Sequence, residues 1–178
     1  AEEVISFIEE ENFDCCWNLY SGDNWIVKDK SDERVITEEN IVKTEATSGS
    51  VESLSNDAKI GKILCICNPD KTDEIEDKIK KSFPDLSVVK SFHTMIEIMA
   101  PGITKGSAVL ELCRLWNIDV KRAAAFGDNY NDVEMLEVVG LPFLMENAPD
   151  ELKQRFKTIT DSNNDEGIYK ALVKVGAI

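Results

Sequence analysis

The 178-residue chain has a single histidine, His93, and no run of the roughly 18 or more apolar residues that would span a bilayer. Its opening residues, AEEVISFIEEEN, are acidic where a secretory leader would be basic and then apolar, so cytoplasmic residence is the expectation. Basic residues are also scarce: 20 Lys and Arg stand against 34 Asp and Glu, a net charge of −14. That balance repels nucleic-acid backbones and anionic membrane surfaces, and argues against both as partners. A phosphorylated ligand would need a local positive focus: a metal ion, a lysine or a helix N-terminus. The five cysteines, Cys15, Cys16, Cys65, Cys67 and Cys113, lack the spacing of a disulfide framework or a four-ligand zinc site. They read as reduced thiols, with Cys65 and Cys67 alternating on one face of a strand as small hydrophobes.

What is present is a globular composition, 43% apolar and 30% charged, enough for one large or two small domains. After a partial helical stripe at Val4, Ile5, Phe7 and Ile8, residues 13–20 and 25–28 form a hairpin candidate around Ser21-Gly22-Asp23-Asn24. A short helix over 33–43 and a loop-like stretch over 44–58 follow. Next come a strand at 62–68, a helix opened by Pro69 and running to Ser82, and strands at 86–89 and 94–99. Residues 1–100 thus read as an α+β module, with the boundary at Pro101-Gly102. Beyond it the pattern alternates: helix 106–117, strand 122–126, helix 132–139, strand 142–145, and helices at 149–156 and 166–175. Ala108, Leu112 and Leu115 are taken as the inner face of the first of these helices. Alternation of this kind predicts an α/β fold with half of a parallel, doubly wound sheet. Ligands of such sheets sit beyond the carboxyl ends of the strands, here the loops after Phe126 and Met145.

The first of those loops, Gly127-Asp128-Asn129-Tyr130-Asn131-Asp132, crowds two carboxylates and two carboxamides between a strand and a helix. Mg2+ takes a few such oxygens and completes its octahedron with water and phosphate, and Asp128 at the strand end is placed to supply one. Equally, Asp132 could be an N-cap and Asp128 and Asn129 turn formers. Lys105 stands immediately before a helix, where the dipole disfavours a cation. Beside a metal-bound phosphate it would clamp transferring oxygens; otherwise it is a solvated surface lysine.

Taken together, Ile103-Thr104-Lys105-Gly106, GDNYNDVEML at 127–136, Glu146-Asn147-Ala148-Pro149 and TDSNNDEG at 160–167 resemble, in order and spacing, the C-terminal motifs of Cof-type haloacid dehalogenase phosphatases. The resemblance is strong over 103–178. Residues 1–100 are similar to the family's inserted α+β cap only in element order. The resemblance implies the distal half of a Rossmannoid catalytic core over 101–178, and Mg2+ as cofactor with Asp128 as its ligand. It places Lys105 and Asp132 in catalysis, Lys105 and Asn131 in substrate binding, and Asn147 as a brace of the metal loop. It also implies a small phosphorylated metabolite as substrate, hydrolysed through an aspartyl phosphate. Glu146 stands where many relatives have glycine.

The family's nucleophile and general acid belong to an N-terminal DxD segment, and no DxD triplet occurs in these residues. The chain therefore reads as a piece of a longer phosphatase, inactive by itself, with an incomplete core that favours homodimerisation or element swapping. A non-catalytic binding or regulatory module that keeps the fold is the alternative.

Overall fold

The computed structural model describes residues 1–54 and 58–178. The chain divides into two compact units, Ala1–Pro101 and Gly102–Ile178.

The first unit is a six-stranded sheet with helices on both faces. Its elements are α1 (Glu2–Glu10), β1 (Cys15–Ser21), β2 (Asn24–Val27), α2 (Glu33–Val42), β3 (Thr47–Ser48), β4 (Lys62–Cys67), α3 (Thr72–Ser82), β5 (Ser87–Phe92) and β6 (Met95–Met99). The strands lie in the order β3-β2-β1-β4-β6-β5, antiparallel except for the β2–β3 pair. Gly22 supplies the positive φ of the β1–β2 turn. Alternation along the strands sends Trp17, Leu19, Ile63, Cys65, Cys67, Ile96 and Ile98 to one face, where α1 and α3 cover them with Val4, Ile5, Ile8, Ile75 and Ile79. On the other face Val35 of α2 packs with Trp25, Val27 and Ala46. The stretch expected as loop over 44–58 holds the short β3 and a 3-10 turn at Val51–Ser53, and residues 55–57 of it lie outside the described residues. The helix expected from Pro69 opens as a 3-10 turn, Pro69–Lys71, because Asn68 caps that turn by accepting from the Asp70 amide at 3.2 Å.

A fully buried asparagine organises the centre of this sheet. Asn18 accepts from Trp25 Nε1 at 3.0 Å and donates to the carbonyls of Leu64 at 3.2 Å and Cys16 at 3.3 Å. A buried carboxamide is tolerated because each end finds a partner.

The second unit contains α4 (Lys105–Leu115), β7 (Ala124–Gly127), α5 (Val133–Val138), β8 (Leu141–Met145), α6 (Asp150–Arg155), β9 (Ile159–Thr160) and α7 (Gly167–Lys174). The three strands are parallel in the order β7-β8-β9, the topology that strand–helix alternation predicts. Ala125, Leu136, Val139, Leu144, Ala148 and Leu152 form its core.

Two expectations for this unit are corrected, and one further strand is added. The strand expected from Arg122 starts at Ala124, because Asp119 caps a 3-10 turn over Val120–Arg122. The inner face of α4 is not Ala108, Leu112 and Leu115. These are exposed, the two leucines by 43% and 61%, while Gly106, Val109 and Cys113 face inward. Gly106 decides this rotation: a Cβ there would sit 2.9 Å from Glu134 Cβ and 3.0 Å from its carbonyl carbon, so α4 approaches α5 along the glycine side. The leucine stripe, with Trp116 and Ile118 beyond it, is left as an uncovered apolar surface. Finally β9, too short for its period to register in the sequence, extends the sheet beside β8.

Replacing Asn18 by Leu removes the acceptor of the Trp25 indole N–H in a dry site. The substitution is expected to cost about 1–3 kcal/mol. A lowered urea midpoint at unchanged m-value checks this.

Candidate active site

Thr104 ends its extended segment as the N-cap of α4, accepting from the Ser107 amide at 3.0 Å while Ser107 Oγ accepts from the Thr104 amide at 2.9 Å. This reciprocal cap fixes Lys105 as the first helical residue. The helix dipole disfavours a cation there, and the compensation comes from a residue 27 positions later: Lys105 Nζ lies 2.5 Å from Asp132 Oδ1.

Asp132 is 4% exposed, yet its carboxylate is well satisfied. While Oδ1 takes the lysine, Oδ2 accepts from the backbone amides of Asp128 at 2.9 Å and Asn129 at 3.1 Å. Three hydrogen bonds on one buried carboxylate offset its removal from water. The loop is thereby wrapped around its own last side chain. Asn129, not Asp132, caps the 3-10 turn Tyr130–Asp132, accepting from the Tyr130 amide at 3.2 Å, and α5 begins directly after that turn. The wrapping requires Gly127, since a Cβ there would fall 2.5 Å from Asp132 Cβ and 2.9 Å from its carboxyl carbon.

Asp128 leaves β7 with its carboxylate outside this knot. Its Oδ2 accepts from Asn147 Nδ2 at 2.7 Å, and Asn147 Oδ1 in turn accepts from the Asn163 amide at 3.0 Å. Three loops, after β7, β8 and β9, are joined through one carboxamide. Asn147, which the resemblance offers as a brace of the metal loop, makes this contact with Asp128, and Asn163, within the TDSNNDEG stretch, joins it through its backbone amide. The 161–166 loop is shaped by Glu166, whose φ of 59° is left-handed, and by Gly167, where a Cβ would lie 2.0 Å from the Asp161 carbonyl oxygen. Next to it the Asp161 carboxylate pairs with Lys170 and raises that lysine above its ordinary pKa. Glu146, in the position where many relatives have glycine, does not take a positive φ, so the side chain imposes no backbone strain. It reaches Lys153 Nζ at 2.9 Å instead.

Asn131 shares the loop, and its Oδ1 is buried with no hydrogen-bond partner. Lys105, Asp128, Asn131 and Asp132 are all held on or beside the β7–α5 loop. Among the described residues no group of three or more His, Cys, Asp or Glu could enclose a metal. The donor set does suit Mg2+ as a partial site, because that ion is held by one or two carboxylates and fills its remaining positions with water and substrate phosphate. Asp128, with Oδ2 fixed by Asn147, offers such an oxygen.

Adding a methyl group at Gly127 is expected to break this arrangement from below. Gly127→Ala should lower the melting temperature by several degrees, corresponding to about 1–3 kcal/mol of overpacking. It should also release the Asp128 and Asn129 amides from Asp132, seen as faster hydrogen exchange at these two positions.

The profile of the haloacid dehalogenase-like hydrolase family matches residues 1–172. A Haemophilus influenzae protein is 35% identical over 151 residues, covering 85% of this chain and 56% of its own length. The 5-amino-6-(5-phospho-D-ribitylamino)uracil phosphatase YbjI of Escherichia coli is 34% identical over 109 residues, 58% of this chain and 40% of its own. Among solved structures, a Thermotoga maritima protein superposes with a TM-score of 0.71 at 29% identity, covering 98% of this chain and 65% of that one. The chain thus spans about half the length of the curated relatives it matches. A match along nearly the whole chain, over both units, means that the chain belongs to the haloacid dehalogenase-like hydrolase family, as a Cof-type member.

Proposed function

We propose that the whole protein is a Mg2+-dependent phosphatase of small phosphomonoesters, a sugar phosphate or similar metabolite, and that residues 102–178 carry the charge-stabilising half of its catalytic core. The observation that carries this reading is the knot in which buried Asp132 holds both the Lys105 ammonium and the amides that present Asp128. Family membership and the similarity to a phosphatase of a phosphoribityl compound support it.

In this reading Lys105 uses one N–H on Asp132 and offers the others to phosphate oxygens, so that charge developing in the transition state meets a cation that is already oriented. Asp132 is a positioning residue, since its own oxygens are committed. Asn131 would donate through its carboxamide nitrogen to a phosphate oxygen. Asp128 would hold Mg2+, which when bound neutralises phosphate charge and organises the displacement. Asn147 keeps the Asp128 carboxylate turned to one side. The attacking aspartate and the acid that protonates the leaving alcohol are assigned, by family resemblance, to a DxD segment that these 178 residues do not contain. The first unit would act as the cap that selects substrates. The exposed leucine stripe of α4 favours self-association of the chain when it is produced alone.

Two expected outcomes test the reading. The 178-residue chain by itself is expected to show no Mg2+-dependent turnover of an aryl phosphate; robust turnover would place the nucleophile within it. In the full-length protein, Lys105→Met and Asp128→Ala should each lower kcat by at least about 100-fold while circular dichroism stays unchanged. Cys65→Ala, in the core of the first unit, should cost stability and leave kcat near normal. Near-normal turnover of Asp128→Ala with its Mg2+ dependence intact would refute the assignment of the loop.

A further inference from the structure

The first unit gathers three of the five thiols on one face at one end of its sheet. In the β1–β4 ladder Cys15 lies directly opposite Cys67, and Cys65 follows two positions along, opposite Trp17. The neighbouring pair is the hydrogen-bonded one, with the Asn68 amide donating to the Asp14 carbonyl at 3.0 Å, while the Cys67 amide turns away to Thr94 at 2.7 Å. Cys15 and Cys67 therefore form a non-hydrogen-bonded antiparallel pair, the kind in which facing side chains come closest, with Cα atoms about 4.5 Å apart. That spacing falls within the range a disulfide bridges, about 4.4–6.8 Å. Their side chains share a face, both belonging to or packing against the α1–α3 core.

Access and reactivity are unequal among these thiols. Cys65 and Cys67 are buried, whereas Cys15 is only partly so and lines a cleft of about 150 Å³ with Ile8, Glu9, Phe13, Cys16 and Trp17. Hydrogen bonds from the Cys65 and Cys67 thiols, with Arg34 nearby, favour the thiolate of Cys15, and the same coupling pushes Cys65 and Cys67 upward. Cys16, on the opposite side of the strand, is pushed up to about 11, chiefly by burial. Cys113 is buried in the second unit.

We propose that Cys15 and Cys67 are a reversible dithiol–disulfide site, oxidised by small-molecule disulfides that reach Cys15 through this cleft. The Cys15 thiolate attacks one sulfur of the oxidant, whose S–S bond breaks to release one small thiolate. Cys67 then gives its proton to that thiolate and attacks the Cys15 sulfur, expelling the second. The Cys15 thiolate and the Cys67 thiol together lose two electrons and one proton, and one small disulfide becomes one thiol and one thiolate, the latter protonated by solvent.

The test uses the folded, fully reduced chain and oxidised glutathione, with peptide mapping by mass spectrometry. The expected product is a Cys15–Cys67 cross-linked peptide, formed while far-UV circular dichroism remains native and reversed by dithiothreitol. Cys15 should be consumed at least about tenfold faster than Cys113. Cys67→Ala should stop the reaction at a stable glutathione adduct on Cys15, and Cys65→Ala should still form the cross-link. A persistent glutathione adduct on Cys15 of the unaltered chain, a cross-link to Cys65 instead, or no modification of Cys15 in the native state would each overturn the proposal.

Discussion

A single buried carboxylate, that of Asp132, sets the form of the second unit's site. An ionisable oxygen pair removed from water must be met by donors, and here the donors come from two sources that the chain has to bring together. Two are backbone amides of the loop that Asp132 itself closes, and the third is a lysine on another helix. Satisfying the carboxylate therefore fixes the loop's curvature, the direction in which Asp128 leaves the strand, and the docking of the α4 N-terminus. Glycine at 127 and 106 makes these approaches possible, the first beneath the carboxylate and the second between the two helices. The Thr104–Ser107 cap completes the arrangement by starting α4 at the lysine that Asp132 needs.

Much of this was legible in the sequence because the site is local to strand ends. Asp128, Asn131 and Asp132 lie within five residues on one strand-to-helix loop, and an apolar strand followed by polar loop and apolar helix announces itself by period alone. Lys105 was legible for an electrostatic reason, a cation where a helix start disfavours one. What failed was rotation about a helix axis. Leu112 and Leu115 outrank Val109 and Cys113 in hydrophobicity, yet the helix turns its glycine inward because close backbone approach, not side-chain greasiness, governs the α4–α5 contact. Glu146 shows the opposite case: a departure from a family's glycine carries no strain when the backbone there does not need a positive φ. Short elements such as β9 and the 3-10 turns escaped for lack of a period to read.

In the first unit the sequence displayed the alternation of Cys65 and Cys67 but not their relation to Cys15. Roughly fifty residues of chain separate the two sets, and only the register of β1 against β4 makes Cys15 and Cys67 partners. Register is in turn held by burial: a one-residue slip of β1 would send Trp17 and Leu19 to the opposite face and strand Asn18 among the α1–α3 side chains without its partners. The polar Asn18–Trp25–Leu64 contact thus specifies which strand residues face each other, and a packing constraint decides which thiols can react.

A chain with a net charge of −14 offers an anionic ligand little long-range attraction, so binding has to rest on a few donors that burial and hydrogen bonding hold in place. In the proposed function Lys105 is such a donor, because Asp132 anchors it without consuming all of its protons and the anchoring carboxylate is itself shared with two amides. A carboxylate with no other partner would present its full charge to an incoming phosphate and repel it. Distributed over three donors, Asp132 orients the lysine while exposing almost none of its own surface, which allows an acidic residue to stand at the centre of a site whose proposed ligand is an anion.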